Sequence, residues 1–252
     1  MAFNVAADSY DRFMGSWSRL LAPQLADLAG VRPGQRVLDV GCGPGALVGE
    51  LVQRLAPADI AAVDPSEPFV AAVRDRYPEV DVHQATAEAL PFPDDMFDAA
   101  LAQLVVHFMT DPVRGLAEMA RVTRRGGVVA ASVWDHGQGR GPHGPFWTAA
   151  LELDPEAVDQ SKLAGARPGH LVELFEAAGI GDVTGSELHA SRDFAGFDDW
   201  WGPFTEGVGP APAYLARLDP ERRDAMRARC RALLPTGSFT LTAVAWAARG
   251  TA

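Results

Sequence analysis

The chain has 252 residues, which is enough for one large α/β domain with insertions. Its formal net charge of -11 at pH 7 argues against nucleic acid or a membrane surface as a general partner, because both carry negative charge. With two distant cysteines, no N-terminal secretory signal and no apolar run of about 20 residues, the sequence excludes a disulfide framework and a zinc site, and it predicts a cytoplasmic protein without a bound metal.

Strands and helices are predicted to alternate through the first half of the chain. The first helix covers residues 8–29, is broken near Gly15 and Pro23, and carries an apolar stripe that includes Leu20. Strands are predicted over five apolar segments, 37–40, 60–63, 80–84, 97–104 and 128–133, the last of them opened by the pair Gly126-Gly127. Helices are predicted between them over 46–55, 68–76 and 112–122. This alternation predicts a doubly wound, mostly parallel α/β sheet that binds its ligands at the carboxyl ends of the strands.

The pattern changes after Asp135. A loop rich in glycine and proline comes first, and the later elements are helices over 146–153 and 170–178, a strand over 183–194, a mostly helical segment over 197–235 and a strand over 239–247. The late strands predict an antiparallel element that finishes the sheet. We therefore expect a single domain over residues 1–252, in which segments 136–168 and 197–235 are helical insertions that form a cap over the substrate.

A glycine-rich turn follows the first strand, in the sequence VLDVGCGPG of residues 37–45. Such a turn lets a ligand approach the backbone closely, and Asp39 lies just before it. The turn fits both G-x-G-x-G and G-x-G-x-x-A, so by itself it leaves S-adenosylmethionine, nicotinamide and flavin cofactors open. Asp64 ends the second strand, where a carboxylate is predicted to hold both hydroxyls of a ribose; the alternative is a helix cap.

Four segments together resemble the class I S-adenosylmethionine-dependent methyltransferases: VLDVGCGPG, AAVDPSEPFV, ATAEALPFPDDMFDAALAQLVVHF and RVTRRGGVVAASVW. The resemblance covers about residues 8–135 and is greatest to the branch that acts on small molecules, including quinone-ring and natural-product methyltransferases. It implies a seven-stranded, Rossmann-like sheet with an antiparallel last strand. It also implies S-adenosylmethionine as the cofactor and S-adenosylhomocysteine as the product.

The same resemblance implies the residues that bind the cofactor. They are Tyr10, Met14, Asp39, Gly41, Cys42, Gly43, Gly45, Asp64, Pro65, Thr86, Ala87, Glu88 and Gln103. The chain departs from the family at Thr86, where the family usually has an aspartate that accepts a hydrogen bond from the adenine amino group. A threonine hydroxyl can also accept, but it carries no charge.

A general base is needed only where the acceptor must lose a proton. His107 is the predicted catalytic base, because it lies just beyond the fourth strand; the alternative is a structural histidine. His136 and His143 are weaker candidates, for which a solvated loop is the simpler interpretation. Five aromatic residues are predicted to line an apolar acceptor pocket or else to form the core of the cap: Phe146, Trp147, Trp200, Trp201 and Phe204.

The sequence thus predicts an enzyme that transfers a methyl group from S-adenosylmethionine to a small molecule, with an oxygen or carbon acceptor favoured. One alternative is a nicotinamide-dependent oxidoreductase, which is disfavoured because tyrosine is scarce and Lys162 is the only lysine. The other alternative is a protein that binds S-adenosylmethionine without catalysis. The oligomeric state is not predicted.

Overall fold

The computed structural model describes residues 14–205 and 209–252. Tyr10 and the first part of the helix predicted over 8–29 lie outside the described residues. Within them, no helix is both long enough and apolar enough to cross a bilayer.

Seven strands of the described chain form one sheet, in the order β3-β2-β1-β4-β5-β7-β6. The strands are β1 Val37–Val40, β2 Ile60–Asp64, β3 Asp81–Gln84, β4 Phe97–Gln103, β5 Thr123–Trp134, β6 Gly181–Phe194 and β7 Phe239–Thr251. The first five run parallel, and β7 is antiparallel to both of its neighbours. The predicted seven-stranded, Rossmann-like sheet with an antiparallel last strand is confirmed.

Helices cover both faces of this sheet. They are α1 Ser16–Leu28, α2 Ala46–Arg54, α3 Glu67–Arg76, α4 Pro112–Val122, α5 Gly144–Leu153, α6 His170–Ala177, α7 Phe197–Trp201, α8 Pro210–Arg217 and α9 Pro220–Leu233. Because side chains alternate along a strand, Val37 packs in the core under α1 and α2, whereas Leu38 packs in the core under α4 and α6. Strands β1 and β4 are neighbours in the sheet, and the chain continues from β1 toward β2 on one side and from β4 toward β5 on the other. This reversal of strand order leaves a crevice at the carboxyl ends of β1 and β4.

The first helix differs from the prediction at two points. Pro23 lies inside α1 and does not interrupt it, because buried Leu21 and Leu25 anchor the helix to the core on both sides of the proline. Leu20 is 40% exposed. The buried stripe runs through Trp17, Leu21 and Leu25 at intervals of four residues, and Leu20 lies about 100° away from it around the helix.

Strands β5 and β7 are longer than predicted. The pair Gly126-Gly127 lies within β5, where a β-carbon on Gly127 would come within 2.7 Å of the Asp98 carbonyl oxygen. The register between β4 and β5 shifts at the same place, between Phe97 and Ala99. The glycine pair therefore does not begin the strand, as predicted, but lets β5 continue through an irregularity in its pairing with β4.

The two segments predicted as insertions pack against each other. Phe146 of α5 stacks on Phe204 at 4.8 Å between ring centroids, and Trp201 of α7 lies 6.3 Å from Phe146. At the surface, Arg229 of α9 forms an ion pair with Glu152 of α5. The aromatic residues predicted either to line a pocket or to fill the cap are buried, so they serve as the core of this helical layer.

Candidate active site

The glycine turn after β1 is bonded tightly to the end of β2. The N–H groups of Gly41 and Cys42 both donate to the carbonyl oxygen of Val63, at 2.7 and 2.9 Å. Gly41 has a φ of +74°, and a β-carbon there would lie 2.5 Å from Cγ2 of Val105. Only glycine fits this position, both in backbone conformation and in space.

Asp64 fastens the same turn from the other side. One of its carboxylate oxygens accepts a hydrogen bond from the N–H of Gly43 at 2.9 Å, and the other accepts from the N–H of Ser66 at 2.8 Å. Burial raises the pKa of Asp64, and these two hydrogen bonds partly offset the rise. Each oxygen keeps a second lone pair that can accept from a ligand, so ribose binding by Asp64 stays a prediction that the geometry allows.

Asp39 is a buried carboxylate without a hydrogen-bond partner among the described residues. It is 1% exposed, and neither of its oxygens accepts a hydrogen bond from a described residue. Burial, followed by the charge of Asp64, raises its pKa to about 8; the backbone N–H of Val48 offsets part of this rise without reaching hydrogen-bond geometry. A buried carboxylate without a partner is costly, and a cation beside it would remove the cost.

Gln103, at the end of β4, adds another unpaired acceptor. Its side-chain N–H donates to the carbonyl oxygen of Ser18 in α1 at 2.9 Å, which orients the amide. Its Oε1 is buried and has no hydrogen-bond partner among residues 14–205 and 209–252. Once Asp39 ionises, it and Gln103 present acceptor oxygens only, and S-adenosylmethionine, which carries a sulfonium and an ammonium group, fits that set.

These residues face one cavity of about 110 Å³, well above the roughly 10–15 Å³ that a cavity needs to hold one water molecule. The predicted cofactor residues that line it are Asp39, Gly41, Cys42, Gly43, Asp64, Pro65 and Gln103. The sequence interpretation missed other lining residues, namely Gly15, Ser18, Pro44, Ala46, Leu47, Phe69, Leu104 and Val105. Pro44, Ala46 and Leu47 adjoin the glycine turn and could have been predicted from their position in the sequence. Ser18 of α1 reaches the cavity through a tertiary contact that no local sequence pattern indicates.

Gly45 and Met14 lie beside this cavity instead of lining it. Gly45 precedes the first residue of α2 with a φ of +94°, and a β-carbon there would lie 3.3 Å from the side chains of Tyr77 and Val73. Its position is thus explained by the start of the helix. Met14 is partly buried and packs against the core next to α1.

The predicted adenine segment also lies to one side of the cavity. Thr86 is exposed, and Ala87 is buried in the core under α4. The carboxylate of Glu88 accepts from the N–H groups of Thr110 and Asp111, at 2.7 and 3.3 Å, so it holds the loop before α4. Binding of the adenine by Thr86, Ala87 and Glu88 stays a prediction.

Three histidines meet beyond β4 and β5, and we call His107, His136 and His143 the histidine cluster. The rings of His107 and His136 lie 5.7 Å apart between centroids. Burial lowers the pKa of His107 and His143 to about 3 and that of His136 to about 4. The solvated loop expected around His136 and His143 holds for residues 137–139, which are exposed, whereas the two histidines themselves are partly buried.

An ion pair between a buried carboxylate and a partly exposed arginine fixes this loop. Asp135 is 0% exposed and accepts from Nε of Arg140 at 2.5 Å and from the N–H of Gln138 at 3.0 Å. Arg140 also donates to Glu187 at 2.7 Å, and its guanidinium lies 5.1 Å from the ring centroid of Trp246. The loop that carries two of the clustered histidines is therefore held rigidly against β6 and β7.

Comparison with known proteins adds the family. A family model described as a methyltransferase domain matches residues 38–131. A probable S-adenosylmethionine-dependent methyltransferase of Mycolicibacterium smegmatis is 30% identical over 179 residues, 67% of either chain. The chain belongs to the class I S-adenosylmethionine-dependent methyltransferases. The predicted family, enzyme class and cofactor are confirmed.

Other relatives differ in what they act on. A demethylmenaquinone methyltransferase of Renibacterium salmoninarum is 35% identical over 162 residues, 64% of either chain. A malonyl-[acyl-carrier protein] O-methyltransferase of Erwinia billingiae is 37% identical over 131 residues, 52% of this chain and 51% of its own. This chain thus spans about half to two thirds of the length of these two curated relatives.

Solved structures agree with the fold. An S-adenosylmethionine-dependent methyltransferase from Aquifex aeolicus matches with a TM-score of 0.53 and 20% identity, over 71% of this chain and 92% of that chain. At this level of identity the likeness shows the fold alone.

Proposed function

We propose that this protein transfers the methyl group of S-adenosylmethionine to an oxygen or carbon atom of a small molecule. One observation carries the proposal: the unpaired oxygens of Asp39 and Gln103 face a cavity at the carboxyl ends of β1 and β4. Two curated relatives, named for demethylmenaquinone and for malonyl-[acyl-carrier protein], support an acceptor of this general kind.

Each part of the cavity has a role in holding the cofactor. Asp39 and Gln103 would face its cationic end, Asp64 its ribose, and the glycine turn would pass beneath it. Bound S-adenosylmethionine supplies a methyl group that its sulfonium has already activated. What remains for the protein is to orient the acceptor, to exclude water and to receive a proton where the acceptor releases one.

The acceptor side lies under the helical layer. In this proposal residues 1–252 are one domain, and segments 136–168 and 197–235 cap the acceptor. Phe108 lines the cavity and lies against His107, with 3.9 Å between ring centroids. His107 is neutral at physiological pH, and we propose it as the base for an acceptor acidic enough to give its proton to so weakly basic an imidazole.

Charge argues against the nicotinamide alternative. A dinucleotide would bring a pyrophosphate to the start of α2, within the same turn as Asp39 and Asp64. Neither carboxylate has a cationic partner among the described residues, and Asp39, once ionised, would oppose a phosphate beside it. S-adenosylmethionine has no phosphate and adds positive charge instead.

Calorimetry tests the proposal directly. We expect S-adenosylmethionine and S-adenosylhomocysteine to bind at sub-millimolar concentration and NADH not to bind. Binding of NADH alone, or of none of the three, would overturn it. Product formation, detected as S-adenosylhomocysteine in the presence of acceptor candidates, separates an enzyme from a protein that only binds the cofactor.

Asp64→Ala gives a residue-level test. Removing a charge-assisted acceptor should weaken cofactor binding by about ten-fold or more. Asp75→Ala is the matched control, because Asp75 is an exposed carboxylate on α3 that lies outside the cavity. Unchanged affinity in folded Asp64→Ala would show that Asp64 only fastens the turn.

A further inference from the structure

The carboxyl group of Asp39 lacks the partners that the other buried carboxylates of the described chain possess. Asp135 is 0% exposed and pairs with Arg140, and Asp64 accepts hydrogen bonds from two backbone N–H groups. Asp39 is 1% exposed, and no described residue donates a hydrogen bond to either of its oxygens. Burying an ionised carboxylate without such partners is so unfavourable that the group holds a proton instead. The geometry therefore indicates that Asp39 is uncharged in the ligand-free protein.

The ionisable groups around Asp39 do not favour its charged form either. Burial, and then the charge of Asp64 on the neighbouring β2, raise the pKa of Asp39 to about 8. The thiol of Cys42 in the glycine turn is buried and carries no positive charge. Of the arginines on the two helices that cover this face, Arg19 of α1 is exposed and Arg54 of α2 pairs with two carboxylates. No cation among residues 14–205 and 209–252 lowers the pKa of Asp39.

Asp39 lines the cofactor cavity together with Gln103. The Oε1 atom of Gln103 is a second buried acceptor without a partner in the described chain, and the hydrogen bond to Ser18 holds the amide in place. A ligand that fills this end of the cavity thus meets oxygen atoms that need hydrogen-bond donors or positive charge. An opposite charge within about 4–6 Å favours the ionised form of a carboxyl group. The arrival of a cation and the loss of the Asp39 proton are therefore linked, and each makes the other more favourable.

We propose that binding of the cationic cofactor removes a proton from Asp39, so that the site becomes negative only when a positive ligand lies beside it. The proposal rests on the proposed function, because it concerns how that site selects S-adenosylmethionine. The O–H bond of the carboxyl group breaks, its electron pair stays on the carboxylate, and the proton passes to solvent. S-adenosylmethionine should therefore bind about ten-fold more tightly at about pH 7 than at about pH 6. A neutral ligand gains nothing from this ionisation.

Calorimetry at about pH 6.5, in two buffers with different ionisation enthalpies, counts the protons released on binding. S-adenosylmethionine is compared with 5′-methylthioadenosine, a neutral thioether that keeps the adenosine part of the cofactor. We expect release of about one proton with S-adenosylmethionine and of none with 5′-methylthioadenosine, since the amino group of the cofactor is already protonated at this pH. Binding of S-adenosylmethionine without proton release, or equal release with both ligands, would overturn the proposal. If S-adenosylmethionine does not bind at all, the proposed function itself is refuted.

Three variants assign the released proton to Asp39. Asp39→Asn should release no proton, and its affinity for S-adenosylmethionine should not change with pH in this range. At about pH 8 it should bind S-adenosylmethionine about ten-fold more weakly or worse, and the difference should narrow toward about pH 6, where the unmodified protein must give up its proton. Asp64→Asn should still release the proton, and so should Asp75→Asn, at an exposed position on α3. Proton release by Asp39→Asn, or its loss in Asp64→Asn, would overturn the assignment. Unchanged binding of 5′-methylthioadenosine shows that Asp39→Asn is folded.

Discussion

Replacing Asp39 with asparagine should make the ligand-free protein more stable and the cofactor complex weaker. The carboxyl has its pKa raised from 3.8 to about 8, mainly by burial. The folded protein therefore keeps a proton that the unfolded chain releases between these two values. Stability is lost as pH rises through this window, because the unfolded state binds fewer protons there. Asparagine keeps the shape of the side chain but cannot ionise.

The magnitude follows from the same two values. At pH 7 the unfolded carboxyl has titrated about three units beyond its pKa of 3.8, and each unit is worth about 1.4 kcal/mol. The side chain is 1% exposed, so solvent screens little of this effect. Asp39→Asn should thus raise the free energy of unfolding by about 4 kcal/mol at pH 7, and by almost nothing at about pH 4.

Urea unfolding of both proteins at several pH values measures the difference. The gain should grow from about pH 4 to about pH 8. S-adenosylmethionine should bind Asp39→Asn about ten-fold more weakly or worse, because the uncharged amide no longer offsets a cation. Asp75→Asn, at an exposed position, serves as the control for both measurements. A stability difference that does not change with pH would refute the reasoning.

Three further predictions concern stability. Gly41→Ala should lower the free energy of unfolding by about 3 kcal/mol, because the backbone is left-handed there and the new β-carbon would clash with Val105. Gly43→Ala should lower it by about 1 kcal/mol, because the backbone is left-handed but the β-carbon meets open space. Urea unfolding compares the two variants. Arg140→Met should cost about 3 kcal/mol in the same assay, because it leaves the Asp135 carboxylate buried without its cation. For the histidine cluster, the folded pKa values lie below the ordinary 6.5, so stability should fall with pH below about 6.5 by about 1.4 kcal/mol per unit per histidine, and substitution by glutamine should remove this slope.

Each of these has an outcome that contradicts it. Equal stability of Gly41→Ala and Gly43→Ala would mean that the turn moves away from Val105. Arg229→Met is the control for Arg140→Met, since the Arg229 ion pair with Glu152 is exposed and solvent screens its contribution to stability. Equal losses of stability for the two arginine substitutions would argue that the ion pair of Arg140 with Asp135 does not stabilise the loop. An unchanged pH slope after substitution of the histidines would show that they are solvated.

The sequence by itself determined the sheet and the glycine turn. Apolar runs of strand length ended by glycine or a carboxylate placed β1 and β2 within a residue of their observed bounds, because local pattern and burial agree there. The need for glycine at position 41 and for a carboxylate at position 64 was likewise evident from the sequence, since both are set by the neighbouring backbone. Pro23 was misjudged, because packing on both sides of α1 outweighs the local tendency of proline to end a helix.

Tertiary structure alone decided how the site is completed and charged. Gln103 is oriented by Ser18, which lies 85 residues away in the chain, and no periodicity reports such a contact. The rings of His107 and His136 meet only because β4 and β5 are neighbours in the sheet. The charge state of Asp39 depends on burial by several elements at once, and burial is a property of the assembled fold. The sequence therefore indicated which cofactor binds, while the packing of distant segments decided how Gln103 and the histidine cluster are placed.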